Sequence, residues 1–159
     1  MSTNLEQNNE IFIQEQVGFA TYEQRMGDHI ILQGEFGIID KPTLNQRIYP
    51  RNEIEREIER LRKLARERKL FGELDHPDTL RKVKLERVSH MVLDLNIEED
   101  KIKGRALVLK TPMGLIVEKI LEAGGKIGIS LRGKGTYLVC LFKKRLNRQK
   151  LFCKKIFTN

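Results

Sequence analysis

An alternating apolar and polar stretch near the middle of the chain most constrains the fold. Apolar residues occupy every second position from Met91 to Ile97, and residues 98–101 have the polar composition of a tight turn. A second apolar segment, residues 102–109, follows at once. Strict alternation predicts a strand with one buried face, and two such strands joined by a short turn predict a hairpin. The sequence therefore predicts an antiparallel sheet.

Two helices and several shorter strands accompany this hairpin. Asn52, with Glu55 three residues later, resembles a capping box and predicts a helix start. Thr111 followed by Pro112 predicts another helix start, because a hydroxyl cap precedes a proline at the first helical position. The predicted helices cover residues 52–70 and 112–123, and the other predicted strands cover residues 11–22, 29–39, 126–131 and 137–142. These elements indicate an α+β domain.

Two glycine-containing motifs carry the side chains of greatest chemical interest. Residues 72–77 read GELDHP, and Pro77 biases the backbone of His76 toward extended conformations. Residues 128–133 read GISLRG and place Ser130 between two apolar residues. A serine hydroxyl becomes a good nucleophile when a base removes its proton, and imidazole is the usual base. Because His76 and Ser130 are 54 positions apart, only the fold can bring them together.

Five motifs occur in the order found in one protein family. They are NQRIYP at residues 45–50, GELDHP at 72–77, VSH at 88–90, TPMG at 111–114 and GISLRG at 128–133. Over roughly residues 30–137 the chain resembles the prohead core protein protease of large tailed bacteriophages. That family is similar in fold to assemblin, the capsid maturation protease of herpesviruses. The resemblance implies a mostly antiparallel, assemblin-like β-barrel flanked by helices.

The resemblance also implies an activity, a site and a setting. It implies a serine endopeptidase that needs no cofactor and cleaves scaffold, core and capsid precursor proteins inside the phage prohead. Ser130 is then the nucleophile and His76 the general base. The expected partners are these substrates and further copies of the chain in the prohead core, which assembles in the cytoplasm of the bacterial host. No membrane partner is expected, because no apolar run reaches 18 residues.

Three further residues are candidates for the site. His90 either orients His76 or is a structural histidine on a strand, and the structural role is favoured. Arg132 and Gly133 are candidates for the oxyanion site, by analogy with the arginine-associated site of the herpesvirus relatives. The acidic residues around His76 also suggest a metal site. Asp75 and His76 are adjacent, however, so they point to opposite faces of an extended chain, and no metal is expected.

The motif at residues 45–50 allows two interpretations. Two prolines and an asparagine within residues 40–50 mark a loop. In the favoured interpretation the motif serves turn formation, and Tyr49 packs against the core. In the alternative interpretation, Asn45, Arg47 and Tyr49 contact the substrate directly.

Positive charge is concentrated at the end of the chain. The net charge is +8, yet residues 131–159 hold nine Lys and Arg and no Asp or Glu, while residues 1–130 hold 21 basic and 22 acidic side chains. A balanced body argues against nucleic acid as its main partner. We therefore divide the chain into a flexible N-terminus (1–10), a protease domain (11–142) and a basic tail without family resemblance (143–159).

The end of the chain also departs from the family. In the family a third catalytic residue comes from a strand after the serine, but no Asp, Glu or His follows Ser130. One hypothesis is that the reading frame is truncated or shifted near Tyr137, so that the last barrel strands and the third catalytic residue are missing and activity is low. Two other functions stay open: a catalytically degenerate core or scaffold component, and a nucleic-acid-binding protein acting through the basic tail. The sequence specifies neither the cleavage-site preference nor the oligomeric state.

Overall fold

Eight strands in the described part of the chain form one sheet, which curls into a half-barrel. The computed structural model describes residues 10–75, 82–140 and 150–157. The strands are β1 (Glu10–Met26), β2 (His29–Ile38), β3 (Arg47–Ile48), β4 (Phe71–Glu73), β5 (Val88–Glu98), β6 (Lys101–Val108), β7 (Ile127–Cys140) and β8 (Lys150–Phe157). The helices are α1 (Arg51–Arg66) and α2 (Pro112–Glu122), with a short 3₁₀ turn at Leu85–Arg87.

The sheet is almost entirely antiparallel. Its strand order is β3-β8-β7-β1-β2-β6-β5-β4. Each neighbouring pair is antiparallel except β3 and β8, which run parallel. The predicted hairpin is β5 and β6, which turn at Glu99 and Asp100. The predicted fold class, an α+β domain with a mostly antiparallel, barrel-like sheet and two helices, is confirmed, and the sheet forms a half-barrel.

The predicted cap of α1 is wrong. Asn52 lies inside the helix, and the residue before the helix is Pro50, in an extended conformation. The Asp40 carboxylate accepts the backbone N–H of Arg51 at 3.0 Å. The preceding loop thus supplies the hydrogen-bond acceptor for an N–H group in the first turn of α1. The sequence of the helix and its immediate flank does not reveal this acceptor, because Asp40 is 11 residues away.

The TPMG motif holds the start of α2 against the ends of β5 and β6. Thr111 Oγ1 accepts the backbone N–H of Gly114 at 3.1 Å, and the same hydroxyl donates to the carbonyl of Val88. A side chain at Gly114 would overlap the carbonyl oxygens of Leu109 and Ser89. The predicted Thr111 cap is therefore confirmed, and the motif explains how α2 packs on the strand that carries His90.

Strands β7 and β8 extend the sheet beyond the sequence-based prediction. β7 joins the predicted strands 126–131 and 137–142 into one element that ends at Cys140. β8 was not predicted, because lysines interrupt its apolar pattern, yet it pairs with β7 and with β3. Part of the segment assigned to a basic tail therefore belongs to the sheet. Residues 1–9 and 141–149 lie outside the described residues, so the flexible N-terminus and the domain boundaries stay predictions.

Two apolar clusters hold the helices on the sheet. The first combines the buried face of α1 with the sheet and the loop before α1: Ile39, Tyr49, Ile54, Ile58, Leu61, Val92, Leu95 and Ile102. The second combines α2 with β2 and β6: Ile30, Leu32, Val108 and Val117. Burying one large aliphatic side chain contributes about 1.5–3 kcal/mol, so both clusters are substantial. Neither helix in the described ranges is long and apolar enough to cross a membrane.

Candidate active site

Ser130 lies on β7, opposite Gln16 of β1, and lines a cavity of about 650 Å³. Its hydroxyl oxygen is buried and has no hydrogen-bond partner among the described residues. Buried polar groups in folded proteins are nearly always paired, so such a hydroxyl needs a physical explanation. A side chain kept ready for a reacting group is one such explanation.

The same cavity brings the two glycine-containing motifs together. Glu73, Leu74 and Asp75 of the first motif line it, together with His90 of β5. In the sheet, four strands (β1, β2, β6 and β5) separate β4 from β7. The curl of the sheet therefore brings residues 72–75 and Ser130 to one cavity. The rest of its wall is mostly apolar: Ala20, Leu32, Phe36, Ala106, Val108, Val117, Ile127 and Ile129.

His76 itself lies outside the described residues, as do Pro77 and Asp78. The residue before it, Asp75, has a positive φ of 68°. This left-handed conformation is uncommon for residues other than glycine, although aspartate tolerates it better than most. Asp75 can therefore adopt the left-handed backbone conformation found at this position, the last described residue before His76. The pairing of His76 with Ser130 stays a prediction.

His90 is enclosed beside the first motif. It lies opposite Gly72 of β4, and its Nδ1 is 2.9 Å from the hydroxyl of Ser89. A side chain at Gly72 would overlap the imidazole, so the glycine leaves the space that His90 occupies. Burial lowers the pKa of His90 from 6.5 to about 4, so the ring is neutral at pH 7. These contacts fit a structural role, and the alternative, that His90 orients His76, also stays a prediction.

A buried ion pair joins the two motifs directly. Glu73 Oε2 accepts from Arg132 Nη2 at 2.8 Å, and the two side chains are only 3% and 15% exposed. The other carboxylate oxygen of Glu73 accepts the backbone N–H of Lys84 at 2.9 Å. Such additional hydrogen bonds offset part of the cost of removing two charges from water. A smaller cavity of about 160 Å³ is lined by both partners, by Ser130 and by His90.

The two oxyanion candidates occupy different environments. Nη1 of Arg132 is buried and has no hydrogen-bond partner among the described residues, so the guanidinium keeps a donor near Ser130. Gly133 is buried in β7 opposite Ile13 of β1. The oxyanion roles of Arg132 and Gly133 stay predictions. The unpaired Nη1 donor supports the role of Arg132.

A second buried carboxylate, Glu15, lies on β1 opposite Leu131 and is 2% exposed. It accepts from Asn45 Nδ2 at 2.8 Å, Arg47 Nη1 at 3.0 Å and Tyr49 Oη at 2.8 Å. Burial alone would lower the pKa of Arg47, but its interactions with Tyr49 and Glu15 outweigh burial and raise that pKa. The first family motif is therefore a loop that supplies three donors to one acceptor, and the predicted packing of Tyr49 is confirmed.

Sequence analysis does not single out Glu15, and it considers Glu73 only among the acidic residues that suggest a metal site. For Glu15 the only hint in the sequence is the motif at residues 45–50. Its three hydrogen-bond donors, Asn45, Arg47 and Tyr49, alternate along one loop and so can share an acceptor. For Glu73 the signal is that one motif contains an acid and the other an arginine. Both signals indicate that a partner exists, but only the fold identifies it.

Within the described ranges, no three His, Cys, Asp or Glu side chains converge as a metal site. His76 and Asp78 lie outside those ranges. The expected absence of a metal and of a cofactor therefore stays a prediction.

Comparisons with known proteins agree with the motifs. The family model described as prohead core protein serine protease matches residues 6–147. This match is wider than residues 30–137, and it passes Tyr137, near which the sequence analysis places the end of the resemblance. No curated protein matches the chain in sequence.

The fold is also found among solved structures. The bacteriophage T4 capsid assembly protease, gp21, superposes with a TM-score of 0.78 and 19% sequence identity, and the match covers 95% of each chain. At that identity the likeness establishes the fold alone. The family match covers most of the chain and agrees with the five ordered motifs and with the serine protease activity that they imply. The chain therefore belongs to the prohead core protein serine protease family.

Proposed function

We propose that this protein is the endopeptidase that cleaves scaffold, core and capsid precursor proteins during prohead maturation, with Ser130 as nucleophile and His76 as general base. The observation that carries the proposal is the Ser130 hydroxyl, buried and without a partner among the described residues. It lies in a cavity whose wall includes Asp75. His76, the proposed base, is the next residue in the sequence after Asp75.

In the proposed mechanism, His76 takes the Oγ proton as Ser130 attacks the carbonyl carbon of the scissile peptide bond. Collapse of the tetrahedral intermediate breaks the C–N bond, and the imidazolium gives its proton to the leaving amine. Water then attacks the acyl-enzyme in the same way and restores the serine. Arg132 lines a cavity together with Ser130, and in this mechanism its buried Nη1 donor stabilises the negative carbonyl oxygen.

The substrates and the setting are also part of this proposal. Membership of the family supports action on prohead proteins. The description of the T4 relative as a capsid assembly protease supports a role in capsid maturation. We extend this to scaffold and major capsid protein precursors as substrates, to self-association within the prohead core, and to assembly in the cytoplasm of the bacterial host.

A labelling experiment tests the proposal. Purified full-length protein is treated with a serine-reactive phosphonate, and the labelled residue is identified by mass spectrometry. Cleavage of the scaffold protein of the same phage is followed in parallel for Ser130→Ala, His76→Ala and the double variant. Each single change should reduce cleavage by several powers of ten, and the double variant should resemble either single one, because the pair acts as a unit.

Thr21→Ala is the matched control, since it removes an exposed hydroxyl of β1 that donates to the carbonyl of Gln33. It should cleave and label like the wild type. Full cleavage by Ser130→Ala would end the proposal. A wild-type protein that assembles but neither labels nor cleaves would favour the degenerate scaffold component. DNA binding that weakens steeply with salt, without cleavage, would favour the nucleic-acid alternative.

A further inference from the structure

Glu73 of β4 contacts both Arg132 of β7 and the backbone at Lys84. We propose that Glu73 is a positioning residue for the reaction: it holds the Arg132 guanidinium on the side of β7 that carries the serine. The inference rests on the proposed function, because it gives Glu73 a task in a reaction that Ser130 and His76 carry out.

The first contact orients Arg132. Residues two apart on a strand share a face, so Arg132 and Ser130 lie on the same side of β7. Their register agrees, since they pair with Gln14 and Gln16 of β1. Glu73 Oε2 binds Nη2 at 2.8 Å and so limits rotation of the planar guanidinium. The second nitrogen, Nη1, then remains buried with no hydrogen-bond partner among the described residues, and Arg132 lines a cavity together with Ser130.

The second contact links Glu73 to the backbone at Lys84, whose N–H donates to Oε1 at 2.9 Å. Two further hydrogen bonds lie nearby: Leu74 N donates to the Arg87 carbonyl at 3.3 Å, and Arg87 Nη2 donates to the Leu74 carbonyl at 3.2 Å. One carboxylate therefore connects Arg132 of β7 with the backbone at Lys84.

Stability alone does not explain this arrangement well. Apolar residues of similar volume often replace a buried ion pair without loss of stability, so a retained pair is weak evidence for a purely structural role. Here the pair lies against the cavity that Ser130 also lines, and it leaves a donor unused there. A misplacement of about 1 Å in such a site can reduce the rate about 100-fold, which is reason enough to hold the guanidinium in one position.

Three variants of the full-length protein test the inference: Glu73→Gln, Arg132→Met and both together. Glutamine keeps an oxygen for the Lys84 N–H but loses the charge that holds Arg132. We expect each variant to lower kcat about 100-fold, the usual effect of losing one oxyanion donor, with KM within about threefold of the wild type. The double variant should match the singles, because Glu73 acts through Arg132. The rate of phosphonate labelling at Ser130 should fall in parallel.

The double variant also guards against loss of folding. Glu73→Gln alone leaves a buried arginine without its counter-ion, whereas the double variant removes both charges. The matched control is the exposed pair of α2, Glu122 and Lys119, which are 38% and 72% exposed and 2.7 Å apart. Glu122→Gln with Lys119→Met should leave kcat unchanged.

Three results would overturn the inference. One is a kcat within twofold of the wild type in the double variant. Another is a loss of kcat that disappears when rates are expressed per folded molecule. The third is a loss of kcat in the double variant equal to the product of the losses in the two single variants, which would show that Glu73 does not act through Arg132. Full cleavage by Ser130→Ala is different, because it would remove both the proposed function and this inference.

Discussion

Glu15 and Glu73 are two buried carboxylates that flank the serine strand, and each binds an arginine. The three donors to Glu15 come from a single loop, at Asn45, Arg47 and Tyr49. Glu73 accepts from residues in two other parts of the chain, the backbone N–H of Lys84 and the guanidinium of Arg132. Glu15 thus anchors one loop to one strand, whereas Glu73 connects the two halves of the site.

The difference shows that burial of a charge does not by itself indicate its role. Glu15 has three donors, which is near the number a buried carboxylate needs to offset its dehydration. Glu73 shares its oxygens between the backbone and a guanidinium that still has an unused donor. We expect changes at Glu15 to appear mainly in stability and changes at Glu73 mainly in kcat. The following experiments test this contrast.

The largest effect on stability is expected from Glu15→Ala. It leaves Arg47 partly buried without its counter-ion, and breaking a buried pair costs about 3–5 kcal/mol. The free energy of unfolding from urea titration measures the loss. Glu59→Ala, at an exposed position of α1, is the control and should change stability by less than about 0.5 kcal/mol. A loss below about 1 kcal/mol for Glu15→Ala would show that the loop is held mainly by the packing of Tyr49.

His90 extends the comparison to a buried ionisable group without a charged partner among its described contacts. Its pKa is about 4 in the folded protein and 6.5 in the unfolded chain. Between these values the unfolded chain binds a proton that the folded protein excludes, so stability falls as the pH drops through 6.5 toward 4. Over that window we expect His90 to contribute a loss of about 3 kcal/mol, at about 1.4 kcal/mol per unit.

Urea titrations of the wild type and of His90→Gln at pH 7.5 and pH 4.5 isolate this effect, because the carboxylates titrate alike in both proteins. The wild type should lose more stability than the variant. An equal loss in the two proteins would mean that the imidazole is already hydrated in the folded state.

Tyr49→Phe removes one donor from Glu15 while it keeps the ring in the core. Hydrogen bonds to charged groups contribute about 1.5–3 kcal/mol, so we expect a loss near the middle of that range. Thermal unfolding at neutral pH measures it, with kcat recorded on the same samples. If kcat falls while stability does not, the loop contributes to the site, and the contrast between Glu15 and Glu73 is wrong.

The smallest effect is expected from Glu35→Gln. Glu35 of β2 binds two lysines of the neighbouring β6, Lys101 at 2.6 Å and Lys103 at 2.9 Å. Its side chain is 36% exposed. Hydrogen bonds from both lysines lower the pKa of Glu35. Exposed pairs contribute about 0–1 kcal/mol, so stability should change by less than about 1 kcal/mol, and the change should shrink further in 1 M salt. A larger loss would show that the number of charge contacts matters more than burial.

The features that local rules govern could be predicted from the sequence. The β5–β6 hairpin follows from alternation, and the start of α2 follows from Thr111 and Pro112. The residue types of the site could be assigned through the family motifs. The contacts between motifs could not, because Glu73 meets Arg132 only when the sheet curls past four intervening strands. β8 was missed because lysines interrupt its apolar pattern.

The pairing of β7 with β1 has a consequence for biosynthesis. The strand that carries Ser130 pairs with β1, the first strand of the described residues, from Glu10 opposite Thr136 to Ala20 opposite Ile127. Contacts between residues so distant in sequence form slowly, because a long loop must close before they stabilise the fold. They also form only after β7 has left the ribosome. The cavity that Ser130 lines is therefore absent from any nascent chain that has not yet extended through β7.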